Sequence, residues 1–258
     1  MTKGSVTLVG AGPGDPELLT LKAVHAIRQA TVLLVDDLVS DAVVALADPA
    51  ARIVFVGKRG GCQSTPQAFI LRLMVSEARA GERVVRLKGG DPFIFGRGGE
   101  ELDHLHGAGI RASVVNGITA GLAAANALGV ALTHRDHAQG VILVTGHGRH
   151  DAPATDWRAL AATARSARLT LVIYMGVSGV QELQDALLTG LPGGTPVAVV
   201  QDASLPTQRS ITATLAHLAD AVAAERIASP AIIVVGEVTR AAATALACAA
   251  PAARTHTG

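Results

Sequence analysis

Cysteine, aromatic residues and any excess of one charge are what this sequence lacks. Cys62 and Cys248 are the only cysteines in 258 residues. They lie far apart and match no metal-ligand spacing, so the expected setting is reduced and cytoplasmic, without a disulfide scaffold. The formal net charge is +1, and Lys and Arg never collect into a run. That excludes the electrostatic footprint of a nucleic-acid binder and favours a small-molecule partner. No apolar run reaches the roughly 20 residues of a membrane-spanning helix, because Gly, Pro or a charge interrupts each one. Met1 to Ser5 leads into a short apolar run with no signal-peptide core. A metal-dependent hydrolase built on His104, His106, His134, Asp136, His137, His147 and His150 is a competing reading, but its spacings are poor: no His-Glu-x-x-His occurs, and His104-x-His106 on a helix points the rings apart. No metal is expected.

What is present is apolar residues, 49% of the chain, arranged as short β-branched runs alternating with longer helical patterns. This is the pattern of βαβ units and predicts an α/β protein. Strands are expected at Ser5 to Val9, Thr31 to Val35, Arg52 to Val56, Arg83 to Leu87 and Arg111 to Val115. Helices are expected at Glu17 to Ala30, Thr65 to Ala80, after Gly98, and from Gly117 to Leu128. Thr65 is read as the cap of its helix and Gly81 as its stop. The helix after Gly98 places Glu100, Glu101 and His104 on its polar side. The pattern breaks in the polar stretch Thr133 to Gly140, which marks a junction between an N-terminal domain, 1–134, and a C-terminal domain, 135–245. The second domain restarts with strands at Val141 to Thr145, Leu169 to Tyr174, Pro196 to Val200 and Ala231 to Val235, and a weaker one at Thr207 to Thr212. Its helices fit Gly179 to Thr189, Thr214 to Ala224 and, weakly, Asp151 to Ala167. An Ala-rich tail, 246–258, is expected to be frayed.

Three glycine-rich loops follow strands of the first half. The first, Gly10-Ala11-Gly12-Pro13-Gly14-Asp15-Pro16, resembles a dinucleotide fingerprint but places Asp15 where a third Gly belongs, and Pro13 removes a donor. Asp36, ending the next strand, stands where a ribose-binding acid would be, which keeps a dinucleotide-binding sensor as a further competing reading. The second, Lys88-Gly89-Gly90-Asp91-Pro92-Phe93-Ile94-Phe95-Gly96-Arg97-Gly98-Gly99-Glu100-Glu101, lacks the Gly-Lys-Ser/Thr of a P-loop and uses two of the four phenylalanines. The third is Asn116-Gly117-Ile118-Thr119-Ala120-Gly121. Glycine lets a ligand approach the main chain, and three such loops gather at the carboxyl edge of one sheet, where open α/β sheets bind ligands.

In order along the chain, the opening Gly-Ala-Gly-Pro-Gly-Asp-Pro, Val56-Gly57-Lys58-Arg59, the Gly89 to Glu101 loop, Thr133-His134-Arg135-Asp136, Val144-Thr145-Gly146-His147, Tyr174-Met175-Gly176 and Val234-Val235-Gly236-Glu237 resemble the blocks of the uroporphyrinogen-III C-methyltransferases. That family is a branch of the tetrapyrrole methylases, and the resemblance runs from about Val6 to Thr239. It implies a two-domain tetrapyrrole methylase fold, with a mainly parallel sheet in the N-terminal domain, a mixed sheet in the C-terminal domain, and the active site between them. It further implies a homodimer using S-adenosyl-L-methionine, without metal, to methylate uroporphyrinogen III twice to precorrin-2, on the routes to sirohaem, cobalamin or haem d1. Several blocks are shared with the later precorrin methyltransferases of cobalamin synthesis. The chain reads as monofunctional.

By matching motif, the resemblance implies cofactor contacts from Pro13, Gly89, Gly90, Asp91, Ile94, Thr119, Ala120, Met175 and Ala203. It makes Asp36 the proton acceptor and Lys58 the proton donor, and puts Arg97 and Glu100 close to the substrate. The chemistry agrees: an electron-rich pyrrole carbon attacks a sulfonium methyl once aligned, and a carboxylate is available to take the displaced ring proton. Arg59, Arg97, Arg135 and Arg149 are candidates to grip substrate carboxylates, since the guanidinium fork matches a carboxylate. Asp36 has a second reading, as the cap of a helix from Leu38 onward. The chain departs from the family pattern at Gln63, Asn116, Ala120, His137 and Ala203.

Overall fold

The computed structural model describes residues 4–57, 65–148 and 155–242. The chain divides into two compact units, one ending at Ala120 and the other starting at Gly121.

The first unit is an open parallel sheet. Strands β1 (Ser5–Gly10), β2 (Val32–Val35), β3 (Arg52–Phe55), β4 (Arg83–Lys88) and β5 (Arg111–Val115) lie in the order β3-β2-β4-β1-β5, and every neighbouring pair is parallel. Helices α1 (Leu21–Gln29) and α2 (Asp41–Val44) cover one face, while α3 (Gln67–Arg79) and α4 (Gly98–Gly107) cover the other. The alternation within β1 sorts its side chains: Val6 and Leu8 pack with Met74 and Leu105, and Val9 with Ala23 and Ile27. Fully burying a side chain of this size contributes about 1.5–3 kcal/mol, which is why the inner strands read as continuous apolar runs.

Local polar groups set the helix boundaries. The single helix expected from Glu17 to Ala30 is divided. Asp15 accepts from the Glu17 amide to close a short 3-10 turn, Leu19 is extended, and Thr20 then caps α1 through the Ala23 amide, at 3.1 Å. Asp36 caps no helix. Ser40 does so for α2, accepting from the Val43 amide. Thr65 is not the cap of α3 either: Pro66 holds that place with no side-chain bond, and Gly81 ends the helix region at φ 95°.

The second unit contains α5 (Ala120–Ala127, from its second residue onward), β6 (Gly140–Thr145), α6 (Trp157–Ser166), β7 (Leu169–Tyr174), α7 (Val180–Leu188), β8 (Pro196–Gln201), β9 (Arg209–Thr214), α8 (Leu218–Ala224) and β10 (Ala231–Val235). Its sheet runs β6-β7-β10-β8-β9, with β6 and β7 parallel and the other neighbours antiparallel. Helices α6, α7 and α8 pack on one face around Leu171, Ile173, Leu187 and Ile233. On the other, α5 closes over β7: the Gly121 amide donates to the Tyr174 hydroxyl at 2.9 Å, and a Cβ on Gly121 would lie 2.4 Å from that oxygen. This packing puts α5 in the second unit, whereas the sequence reading draws its junction after it, at 134/135. The tail 246–258 lies outside the described residues.

Candidate active site

Neighbouring strands β1 and β4 send their chains in opposite directions. β1 leads through α1 on one face to β2, and β4 leads through α4 on the other face to β5. Where outgoing connections diverge in this way, the carboxyl edge of an open α/β sheet opens into a crevice. The first glycine-rich loop follows β1, the second follows β4 and the third follows β5.

Backbone contacts weld these loops together. The Gly12 amide donates to the Gly90 carbonyl at 3.2 Å, and the Gly90 amide donates back to Gly12 at 2.7 Å. A Cβ on Gly117 would stand 2.2 Å from the Gly90 carbonyl oxygen and 2.9 Å from Gly10, so only glycine permits this approach. Asp91, buried, joins the second loop to the third. Its Oδ1 accepts from the Phe93 amide at 2.8 Å, and its Oδ2 accepts from the Gly117 amide at 3.1 Å and from Asn116 Nδ2 at 3.3 Å. Ser40 ties the first loop down by donating to the Gly14 carbonyl at 2.6 Å. Gly90 is left-handed at φ 67°, and a Cβ there would meet nothing closer than 3.7 Å, the Cα of Thr119. A Cβ there would thus be in ordinary van der Waals contact with the Thr119–Ala120 peptide, so the second and third loops approach closely at this point.

Asp36 stands at the carboxyl end of β2, beside the second loop. Its Oδ1 accepts from the Asp37 amide at 3.0 Å, and Oδ2 lies 3.4 Å from Arg86 NH2. Beneath it are three buried charges. Arg86 Nε reaches Glu101 Oε1 at 3.4 Å, Lys88 Nζ sits 3.1 Å from Glu101 Oε2, and Gln67 Nε2 donates to Glu101 Oε1 at 3.0 Å. Burial pushes the Lys88 ammonium below the ordinary lysine value, with the Arg86 charge adding to the effect and Glu101 opposing it. Glu101 is fully buried, so the expected placement on the polar side of α4 is wrong. The helix aims that position at the sheet, where two cations await it.

Arg97 and Glu100, both half-exposed, pair with each other. Arg97 Nε lies 3.1 Å from Glu100 Oε1, and NH2 lies 2.6 Å from Oε2. The hydrogen bond to Glu100 raises the Arg97 pKa. Arg97 and Phe95 hold left-handed backbones, at φ 58° and 53°.

In the second unit, β6, β7 and β8 share a carboxyl edge, because β7 and β8 both run antiparallel to β10. Met175 follows β7 at φ 55° and is exposed. Ala203, buried, sits after β8 between Asp202 at φ 51° and Ser204 at φ 71°. Seven described non-glycine residues have positive φ. Arg168 and Arg226 end helices, and the other five, Phe95, Arg97, Met175, Asp202 and Ser204, lie in these edge loops. Such backbone costs about 1–3 kcal/mol per residue and concentrates at functional sites.

The first unit thus gathers Pro13, Gly89, Gly90, Asp91, Ile94, Thr119, Ala120 and Asp36 along one sheet edge, with Arg97 and Glu100 starting α4. Met175 and Ala203 share the matching edge of the second sheet. Lys58, Arg59, Gln63 and Arg149 lie outside the described residues. His137 stacks on His134, with ring centroids 4.6 Å apart. No three His, Cys, Asp or Glu side chains among the described residues converge to hold a metal ion, and no described helix is long and apolar enough to cross a membrane. Sequence reasoning passed over Arg86, Lys88 and the anchoring role of Glu101. Three cations in a strand that is otherwise Val-Val-Leu were the available signal, and two of them, Arg86 and Lys88, are buried.

Residues 5–219 match the family Tetrapyrrole (Corrin/Porphyrin) Methylases. The chain is 53% identical over 238 residues to a uroporphyrinogen-III C-methyltransferase of Pseudomonas aeruginosa, covering 92% of this chain and 95% of that one. It is 51% identical to siroheme synthase 2 of Aeromonas hydrophila, covering 91% of this chain but 49% of the relative, so it spans about half the length of that protein. Among solved structures, the uroporphyrin-III C-methyltransferase of Thermus thermophilus complexed with S-adenosylhomocysteine superposes with TM-score 0.78 at 42% identity, covering 92% of this chain and 99% of that one. A cobalt precorrin-4 methyltransferase gives TM-score 0.80 at 30% identity, covering 92% and 95%.

Proposed function

The chain belongs to the tetrapyrrole methylase family, and we propose that it transfers methyl groups from S-adenosyl-L-methionine to carbons of uroporphyrinogen III, twice in succession, giving precorrin-2. The observation that carries this reading is the welded node of three loops at the switch point of the first sheet, in a chain 53% identical to a uroporphyrinogen-III C-methyltransferase. The lower identity to the precorrin-4 enzyme, 30%, ranks a later precorrin substrate second.

The residues fit such a donor. Around Gly90 the loops present main chain and small side chains, Thr119 and Ala120 among them, as close approach of a nucleoside requires. When bound, the donor supplies an activated methyl group on a positively charged sulfur. Pro13, Gly89, Gly90, Asp91, Ile94, Thr119 and Ala120 would hold it, and the family resemblance adds Met175 and Ala203. The welded loops are preorganised for this, so little ordering is lost on binding. Methyl transfer needs alignment above all, and fixed loops provide it. Asp36 would take the proton that the macrocycle loses for each methyl gained, and a proton given by Lys58 at one ring position would be matched by one more leaving another, so that the net loss stays one per methyl. Arg97 and Glu100 would bind the carboxylate-bearing substrate, and the sequence adds Arg149 to them. The working form is a cytoplasmic homodimer without metal.

Incubation with S-adenosyl-L-methionine and uroporphyrinogen III, followed by mass spectrometry, tests the reading. Two successive methyl increments are expected. No increment on this substrate, with methylation of a later precorrin, would move the chain to the second reading.

A further inference from the structure

We propose that Glu101 is a positioning residue for Asp36, acting through Arg86. The inference rests on the reading of Asp36 as the proton acceptor. Arg86 is buried, with every nitrogen engaged: Nε toward Glu101 at 3.4 Å, NH1 donating to the Leu34 carbonyl at 3.3 Å and the Leu87 carbonyl at 3.2 Å, and NH2 toward Asp36 at 3.4 Å. Its planar fork thus spans β2 and β4 and presents one edge to the carboxylate. Glu101, at the Nε of that fork, is fully buried and lies 3.1 Å from a second cation, Lys88.

Buried ion clusters of this kind rarely add stability over apolar packing, because desolvating each charge costs several kcal/mol. Their better-supported use is to fix geometry. Here the cluster has one outlet: Asp36, whose side chain is 36% exposed at the sheet edge, whereas the side chains of Arg86 and Glu101 are at most 3% exposed. Glu101 holds the guanidinium, the guanidinium lies 3.4 Å from Oδ2, and the Asp37 amide donates to Oδ1, so both carboxylate oxygens are held.

The test is a double-mutant cycle on the whole chain, with uroporphyrinogen III turnover and S-adenosylhomocysteine affinity both measured. Glu101→Gln keeps the shape and removes the charge. It should lower kcat by roughly 10- to 100-fold while leaving the affinity and the donor KM within about twofold. In the Asp36→Ala background the same change should cost nothing further, because there is no carboxylate left to orient. Should Glu101→Gln fail to fold, Arg86→Lys takes its place: one ammonium cannot bridge Glu101 and Asp36, so kcat should fall the same way, with affinity retained. An equal loss in both backgrounds, or a parallel loss of affinity, overturns the proposal and leaves the role of Asp36 standing. Normal turnover of Asp36→Ala, or none by the unsubstituted chain, removes the reading beneath it as well.

Discussion

Gly12 and Gly90 hydrogen-bond to each other through their backbones in both directions, at 3.2 and 2.7 Å, across the point where the chain leaves β1 and β4 on opposite faces of the sheet. Two loops that would otherwise move independently become one rigid wall. Gly117 and Asp91 add the third loop to it.

Gly117→Ala should be destabilising and weaken donor binding together. Its Cβ would fall 2.2 Å from the Gly90 carbonyl oxygen, and relieving such an overlap costs about 1–3 kcal/mol. Gly107→Ala is the control: its Cβ, at the end of α4, meets nothing within 4 Å. That variant should gain up to about 1 kcal/mol from helix propensity. Denaturant unfolding and calorimetry on both variants check the contrast.

Asp91→Ala should cost about 1–3 kcal/mol of stability, because it leaves the Gly117 amide without its acceptor. Asn116→Ala removes only the outer bond, at 3.3 Å from an exposed residue, and should cost less than 1 kcal/mol. If the two were equally destabilising, Asp91 would not be the tie between the loops.

Lys88 gives a pH signature. Its pKa is lowered in the fold, so between that value and the unfolded value of about 10.4 the unfolded chain binds more protons, and the Lys88 contribution to stability rises with pH. Below the lowered pKa the burial penalty on the cation is fully present. Lys88→Met should lack the alkaline rise. At neutral pH it should be about 1–3 kcal/mol less stable, since Glu101 loses one buried partner while Arg86 and Gln67 remain. Unfolding curves across the alkaline range check both statements.

The strands were largely legible. Arg111–Val115, Leu169–Tyr174 and Ala231–Val235 carry β-branched runs, and the structure keeps their limits. The three loops were legible because glycine followed each strand. Two kinds of feature were not. Short capped elements hid inside longer patterns: Thr20 restarts a helix that periodicity alone continues from Glu17, and Ser40 caps the four-residue α2. Buried charge was the other. Glu101 stands among Glu100, Asp103 and His104, and only its register on α4 turns it inward to Arg86 and Lys88. A one-residue change of helix phase reverses such an assignment, and no local pattern fixes the phase when the partners lie on a distant strand.

Titration calorimetry with S-adenosylhomocysteine on the unsubstituted chain and on Gly90→Val tests the central claim most directly. A branched side chain at that position strains the left-handed backbone and crowds Thr119 and Ala120. Stoichiometric heat from the unsubstituted chain and none from the variant, with the variant still folded, is the predicted result. Equal affinity in the two, or no binding by either, would contradict the account.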